Sequence, residues 1–498
     1  MARIRITLED DHGQPLKLRA EPLYALAGPC DTLDAIETAV EEWRKKALPD
    51  IEKALLTQAQ NEAIARKEPT VKCNGTYVLQ VRTLHGEFPF SNQKFFSPRE
   101  GSWAFLNAAD DRQSAVTTGL EAVSVQFCLD AASYEKARQM LRQVTGSSLM
   151  TRQTLSNLIQ KTAQRIDKHL TAAVTAVEEA AGPSATEVKT VELTSLALAT
   201  EVKTVELTSL ALATEVKTVE LTSLALATEV KTVEPALPPF STEVDLYDPQ
   251  GRELHVFEDG ILVKAQKPTH EKQGEVPQPK PCQFHQAYFS LVPCPDGHYE
   301  FVMGSSDGKL SLSRALRAFV CQHWHIEDTP LSLVAITDGA KDLRRDLWAA
   351  FGDRVVIILD WFHLRKKVCE LASMLVSTKE ARTQLKKQLL KLLFGGQVVE
   401  ALAVVSSLPV RNALMHNKLI TYLTNHAAEI IDYRKRAQAK KTIGSGRMEK
   451  GVDQVIGQRQ KDNGMSWSKL GSYALGMVTA YRANGKWDQL WSTSKRAA

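Results

Sequence analysis

Three aspartates punctuate the second half of the chain where a carboxylate can do chemistry. Asp259 lies in the string EDG inside an alternating run, Asp338 closes an apolar run in TDG, and Asp360 closes VVIIL and opens DWFH. Any one of them reads as an ordinary strand-end residue that caps the next helix, but that reading explains three together less well. Acids at the carboxyl ends of neighbouring parallel strands converge on one edge of a sheet, where open α/β folds place their sites. Carboxylates gathered there suit a hard divalent cation, Mg2+ or Mn2+, which takes oxygen ligands and keeps several waters. Two such ions, ~3.5–4 Å apart, stabilise both the attacking and the leaving oxygen of a phosphodiester displacement. The chemistry to expect is cutting or joining of phosphodiesters.

The elements around these acids follow from the hydrophobic pattern. Glu253–Gln266 alternates as a strand, and Gln286–Pro293 and His298–Ser305 read as two more, joined across the turn CPDG. Leu312–Trp324 is amphipathic at helical spacing, Leu331–Gly339 is a nearly continuous apolar strand, and LRRDLWAAFG is a helix stopped by Gly352. Arg354–Asp360 is a second buried strand, and a helix begins at FHLRKKV, so the order is β-β-β-α-β-α-β-α. Cys282, His285, Cys294 and His298 have the local spacings of zinc ligands, but a strand separates the two pairs and such matches arise by chance, so zinc is not expected from them.

Upstream, a helix is expected from about Asp31 through Lys67, a hairpin over Lys72–Phe88, and helices from Gln113 onward. Ser133–Gly146 is amphipathic and closed by glycine, and a second helix begins near Thr151, a good N-cap. The pair has the outline of a helix-turn-helix. In that geometry Arg152, Gln153 and Asn157 face a DNA groove, where Arg reads guanine and Gln or Asn reads adenine; an ordinary helical hairpin is the alternative.

Hydrophobic residues make up 43% and charged residues 24%, which excludes a collagenous, wholly disordered or small disulfide-stapled chain. Seven scattered cysteines fit reduced thiols. Nothing approaches the ~18 apolar residues of a membrane span, and no apolar run follows the basic residues of MARIRITLEDDHGQ, so a cytoplasmic, nucleoid-associated protein is expected. The formal net charge is only +4, yet Asp360 to Lys461 holds 19 Lys and Arg against 8 Asp and Glu. That local excess points to a polyanion such as nucleic acid, with Arg434, Lys435 and Arg436 as phosphate contacts, although a solvated helical surface carries such charge too. Arg447 and Arg459 belong to the same expected DNA-contact set, and Trp467, Tyr473, Trp487 and Trp491 interleave with basic residues as base-stacking or core groups.

A tandem repeat divides the chain. ATEVKTVELTSLAL, 14 residues long, runs from Ala185, Ala199 and Ala213, with a truncated copy from Ala227 to Glu234 and a Pro-rich close at Phe240. The unit is too short for a solenoid, its copies are identical, and it reads as an expanded linker. Four regions result: 1–110 as an N-terminal α+β region, 111–183 as a helical DNA-binding region, 184–240 as linker, and 241–498 as the catalytic domain with a helical insertion at about 371–441.

The strings EDGILVK, ITDGAKDL, ILDWFHLRKKV, IGSGRMEKGVDQVIGQRQKDNGMSW and NGKWDQLW resemble those of DDE transposases from bacterial insertion sequences. The resemblance covers roughly residues 240–498; it is greatest to the Kra-type group and extends more distantly to Mutator-like enzymes. It implies an RNase-H-like α/β domain with a mixed five-stranded sheet and an all-α insertion. It implies Asp259, Asp338 and Glu449 as the acids that hold two Mg2+ (or Mn2+) ions, with Asp360 and His363 in support. Asp453, one turn beyond Glu449, is the nearby rival for the third acid. It further implies binding of terminal inverted repeats in double-stranded DNA, strand cleavage and transfer, and a dimer or higher assembly at synapsis. Two alternatives stand beside it: an RNase-H-like nuclease of repair or recombination, and a transposase-derived DNA-binding protein without catalysis.

Overall fold

A computed structural model describes residues 32–106, 114–180, 243–266, 284–305, 308–324, 331–409 and 411–491, with short pieces at 3–4, 24–25, 237–238 and 240–241. The repeat and Cys282 lie outside the described residues. The short strands β1 (Arg3–Ile4) and β2 (Tyr24–Ala25) pair antiparallel. Helix α1 (Leu33–Arg66) starts where the Thr32 hydroxyl accepts the Ala35 N–H at 3.2 Å. It packs on a four-stranded sheet in the order β5-β4-β3-β6, built from β3 (Lys72–Thr83), β4 (Gly86–Ser97), β5 (Gly101–Ala104) and β6 (Ser114–Val116). Alternate residues of β4 are buried, as a sheet covered on one face requires.

Three helices follow: α2 (Thr118–Asp130), α3 (Tyr134–Thr145) and α4 (Arg152–Ala180). Ser133 caps α3 and Gly146 ends it in the left-handed conformation at φ 75°. The turn into α4 is held by Thr151, whose hydroxyl accepts the Thr154 N–H at 3.1 Å. Helix α4 begins beside the expected cap Thr151 and runs 29 residues.

The second sheet has the order β11-β10-β7-β8-β9. Its strands are β7 (Arg252–Lys264), β8 (Phe284–Pro293), β9 (Tyr299–Val302), β10 (Leu331–Thr337) and β11 (Val355–Leu359). Strands β7, β10 and β11 run parallel, while β7, β8 and β9 form an antiparallel meander. Helix α5 (Leu312–His323) lies between β9 and β10, and α6 (Lys341–Phe351) between β10 and β11. The alternating-β then α-β-α-β order expected from the hydrophobic pattern is the order in this part of the structure.

After β11 come α7 (Trp361–Ala372), α8 (Lys379–Phe394), α9 (Val398–Ser406), α10 (Ala413–Asn425) and α11 (Tyr433–Gln438). These helices bury Leu364, Leu389, Leu393, Leu419, Leu423 and Tyr433 in an apolar cluster of their own. The chain then returns to the sheet as α12 (Gly446–Val452), a π-helical run over Asp453–Lys461, α13 (Lys469–Ala483) and α14 (Trp487–Trp491).

The two faces of the sheet bury different sets. On one, Phe257, Phe289, Ile336 and Ile358 pack in a cluster that also holds Met448, Ile456 and Leu475. Leu120, Leu141, Leu155 and Ile159 of α2–α4 belong to that same cluster, so the helices upstream of the repeat share their core with the sheet downstream of it. On the other face, Leu254, Leu333, Ala335 and Ile357 pack with Leu316 of α5 and Leu347 of α6.

Candidate active site

Strand register brings the three aspartates to one level. Thr337 is aligned with Leu359, and Ile336 with both Phe257 and Ile358. Asp338 and Asp360 are each the next residue, while Asp259 lies two beyond Phe257. Side chains alternate along a strand, so all three acids share the face that carries Phe257, Ile336 and Ile358. Strands β10 and β11 stop there, whereas β7 continues to Lys264 beside β8. Asp259 therefore lies within its strand rather than at its end, level with the two strand ends beside it.

Helix α12 supplies the fourth carboxylate. It packs across β7 and β8 and carries Glu449 in its first turn. Glu449 is exposed, and no side chain among the described residues pairs with its carboxylate. Burial pushes Asp259 up to about 6; the Gly260 N–H holds it down, Asp338 pushes it further up, His363 counteracts, and Glu449 adds to the push. That coupling joins Asp259, Asp338, Glu449 and His363 electrostatically. Asp453 turns back on its own helix instead, accepting from Gln458 Nε2 at 3.3 Å and filling the space that Gly457 leaves open.

Asp360 does a different job. It is 1% exposed, and both its oxygens are occupied. One accepts the N–H groups of Phe362 at 2.6 Å and His363 at 3.0 Å, capping α7; the other accepts the N–H and hydroxyl of Ser445, which opens α12. Burial alone would raise its pKa, but His363 and Ser445 hold it down to about 2. Asp360 thus joins the start of α7 to the start of the helix that carries Glu449. Gly444 is needed there because a Cβ would run into the Phe362 ring. His363 Nδ1 stands 3.7 Å from the Asp360 carboxylate, and the partnership with Asp360 raises its pKa against the effect of burial, with Asp259 and Asp338 acting in the same direction.

Three groups at this edge went unread in the sequence. His426 bonds Glu429 at 2.7 Å, Glu429 receives Arg344 at 3.0 Å, and the Glu429 carbonyl accepts the Leu359 N–H. The His426 ring lies against Gly339, whose φ of +87° turns the chain after Asp338. Nothing in the string NHAAEI marks such a brace. Glu258, beside Asp259 but on the opposite face, is 1% exposed with both oxygens unpaired, and burial pushes its carboxyl well above the usual carboxylate range.

Asp259 and Asp338 each give one oxygen to a backbone N–H, of Gly260 at 2.7 Å and of Ala340 at 2.8 Å, and keep the other, and Asp338 and Glu449 repel the Asp259 carboxylate; such carboxylate oxygens are the donors a hard divalent cation takes. Asp360, its four acceptor positions already used by N–H and hydroxyl donors, does not offer one.

The expected DNA contacts divide. Arg152, Gln153 and Asn157 lie on the exposed side of α4, with Arg152 3.6 Å from Glu135 and Gln153 bonded to Asn157 at 2.8 Å. Arg434 and Lys435 are exposed, as is Arg447, which stacks over Tyr299 at 4.8 Å. Arg436 is not a phosphate contact: it is fully buried, pairing with Glu253 at 2.7 Å and donating to the carbonyls of Thr442 and Leu246. Arg459 is not one either: it is buried between Tyr134 and Trp467 and donates to the carbonyls of Cys128 and Ala132. Of the aromatic residues, Trp467 is core, donating to the Gln460 carbonyl at 3.1 Å.

No family model matches the chain, and no curated protein matches its sequence. Among solved structures it is similar to a chain of the Drosophila P element transposase strand transfer complex, at 11% identity and a TM-score of 0.23, over 50% of this chain and 80% of that one. A likeness at that level carries no argument, and the functional reading rests on the site itself. No helix among the described residues is long and apolar enough to cross a membrane.

Proposed function

We propose that the chain is a DDE-type DNA transposase whose second half is an RNase-H-like catalytic domain. The observation that carries the reading is the placement of Asp259, Asp338 and Glu449: two acids level on adjacent parallel strands, and a third on a helix that returns after a long helical insertion and packs on the same strand, near enough for its charge to act on Asp259. The sheet order with its parallel β7, β10 and β11 and antiparallel β8 and β9 also fits that domain. The three carboxylates would hold two Mg2+ or Mn2+ ions, which when bound stabilise the attacking and leaving oxygens of the phosphodiester. Asp360 positions the Glu449 helix, and His363 offsets part of the negative charge. Exposed Arg434, Lys435 and Arg447 fit contacts to the DNA backbone, and the exposed side of α4 fits recognition of the element ends. At synapsis two ends require at least a dimer.

The test is a strand-transfer assay on duplexes carrying the ends of the element that encodes the chain. Wild type cleaves at the end and joins the freed 3′-hydroxyl to target DNA in Mg2+, and Asp338→Asn binds the ends but does neither. Cleavage without joining indicates a nuclease, and end binding without cleavage by wild type indicates a transposase-derived binding protein.

A further inference from the structure

The hairpin between β8 and β9 gathers a second set of donors, away from the acids. The Gly297 N–H bonds the Cys294 carbonyl at 2.9 Å and the Cys294 N–H bonds the His298 carbonyl at 2.7 Å, so Cys294 and His298 face each other across a tight turn. Glu300 follows His298 by two residues and pairs with Val292, which precedes Cys294 by two. The strand period of two therefore puts Cys294, His298 and Glu300 on one face. Ligand atoms of Cys294, Asp296 and His298 all lie within 4.8 Å of one another. Glu300 Oε1 is 3.5 Å from His298 Nε2 and 4.0 Å from Cys294 Sγ. A tetrahedral zinc with bonds of about 2.0–2.3 Å needs its donors roughly 3.3–3.8 Å apart, which Glu300 and His298 already meet at 3.5 Å and Glu300 and Cys294 approach at 4.0 Å.

The remaining contacts orient these donors. Asp296 binds His298 at Nδ1, which leaves Nε2 for a metal; a carboxylate behind the imidazole is the usual outer partner of a zinc histidine. Lys486 binds Glu300 at Oε2 and leaves Oε1 toward Cys294 and His298. Cys294 is 4% exposed, whereas His298 is half exposed, which gives an ion a way in. A thiolate with an imidazole selects a zinc-like ion over magnesium. Of the two pairs that sequence spacing suggests, Cys294 and His298 belong to this site although zinc was not expected from them, and His285 does not: it lies at the other end of β8, about 30 Å from Cys294.

We propose that Cys294, His298 and Glu300 bind one zinc ion, with Asp296 orienting His298, at a site that staples the β8–β9 hairpin. Cys294 lies five residues along from Phe289, the partner of Asp259, or about 16 Å, so the staple is separate from the candidate active site and does not rest on the transposase reading.

The test is titration of the full-length, chelator-treated protein with Co2+. One equivalent gives a near-ultraviolet thiolate-to-cobalt charge-transfer band, which zinc abolishes by displacement. The band is lost in Cys294→Ser and retained in Cys73→Ser, an exposed thiol elsewhere. His298→Ala, at an exposed position that leaves the core intact, weakens cobalt binding at least tenfold, and Asp296→Asn weakens it by 10- to 100-fold. Absence of the band at stoichiometric cobalt, its survival in Cys294→Ser, or unchanged affinity in His298→Ala overturns the proposal.

Discussion

Asp259 carries a conflict that the fold leaves in place. Its carboxylate is raised to about 6 by burial and by Asp338 and Glu449, so in the metal-free protein its ionised form costs stability. The sign follows directly: the cost is absent below the unfolded value of about 3.9 and is fully present once pH has risen through about 6. Asp259→Asn therefore abolishes cleavage yet raises the melting temperature of metal-free protein at pH 7, measured by calorimetry in chelator. A melting temperature that falls would mean the carboxylate is structural. Asp360→Asn behaves in the opposite way, because an amide nitrogen cannot accept the N–H groups that its carboxylate takes from Phe362 and His363 or from Ser445. It is expected to lose about 2–4 kcal/mol in denaturant unfolding and to loosen the helix that presents Glu449. Glu449→Gln stops cleavage while Asp453→Asn, whose carboxylate is turned to Gln458, keeps most of it. The reverse result in a cleavage assay would move the third acid by one turn. What sequence makes legible at this scale is the pair of strand-end acids Asp338 and Asp360, since apolar runs that stop at Asp are local features, together with Asp259 inside its alternating strand. The brace of His426 and Glu429 and the capping role of Asp360 are not legible, because they depend on partners from distant elements.

At the scale of elements, charge alone misplaced two arginines for one physical reason. A basic run reports how many positive charges a segment carries, but not whether distant elements have claimed one, as a carboxylate claims Arg436 and two carbonyls and two aromatic rings claim Arg459. Glu253, on β7, takes both Arg436 and Lys441 and receives His255 as well. Replacing Arg434 and Lys435 with Ala, both exposed, is expected to weaken binding to specific and random duplexes alike and to reduce the salt slope by ~0.9 per lost phosphate contact. Loss confined to the cognate duplex in a salt titration would make them sequence readers. Arg436→Ala instead destabilises by about 3–5 kcal/mol in urea unfolding, since it strips buried Glu253 of one of its three partners, leaves the Thr442 and Leu246 carbonyls without their donor and empties the space of a fully buried side chain. Burial alone would raise Glu253, but His255, Arg436 and Lys441 hold it down to about 2. A carboxylate depressed on folding contributes stability above its unfolded value of about 4.3, and that contribution is lost as pH falls through about 2. Acid unfolding curves should show it as roughly 3 kcal/mol lost over that window, and Glu253→Gln should flatten that window while lowering stability at neutral pH. The helices and strands themselves were legible, because periodicity is set by which face is buried. The reach of α4 was not, because a helix that continues into a neighbouring core looks the same as one that continues into solvent until the packing partner is known.

The core on each face of the five-stranded sheet is assembled from both sides of the repeat. Leu155 and Ile159 of α4 share a cluster with Phe289 and Leu475, and Arg459 reaches between Tyr134 and Trp467 to bond carbonyls of α2 and its following turn. Glu178 near the end of α4 pairs with Arg314 of α5 at 2.7 Å. The helical region that sequence separates as its own unit thus shares its core with the sheet downstream of the repeat. Both ends of the connection are anchored in the same place: Val174 and Phe240 are buried together, with Val177 and Leu237 against them. The 56 residues from 181 to 236 then need only return the chain to where it left, and any length that closes the gap serves. Deleting Ala199–Leu226 removes two whole repeats and leaves 28 residues, which extended span up to roughly 90 Å. For a connection that only joins two fixed ends, halving its length changes the closure cost by about 0.6 kcal/mol, so the shortened protein should melt at the same temperature or slightly higher. It should also bind and cleave DNA as the full chain does. The measurement is a melting curve and a cleavage assay on the two proteins side by side, and insoluble or destabilised deletion protein would show that the repeat packs as part of the core.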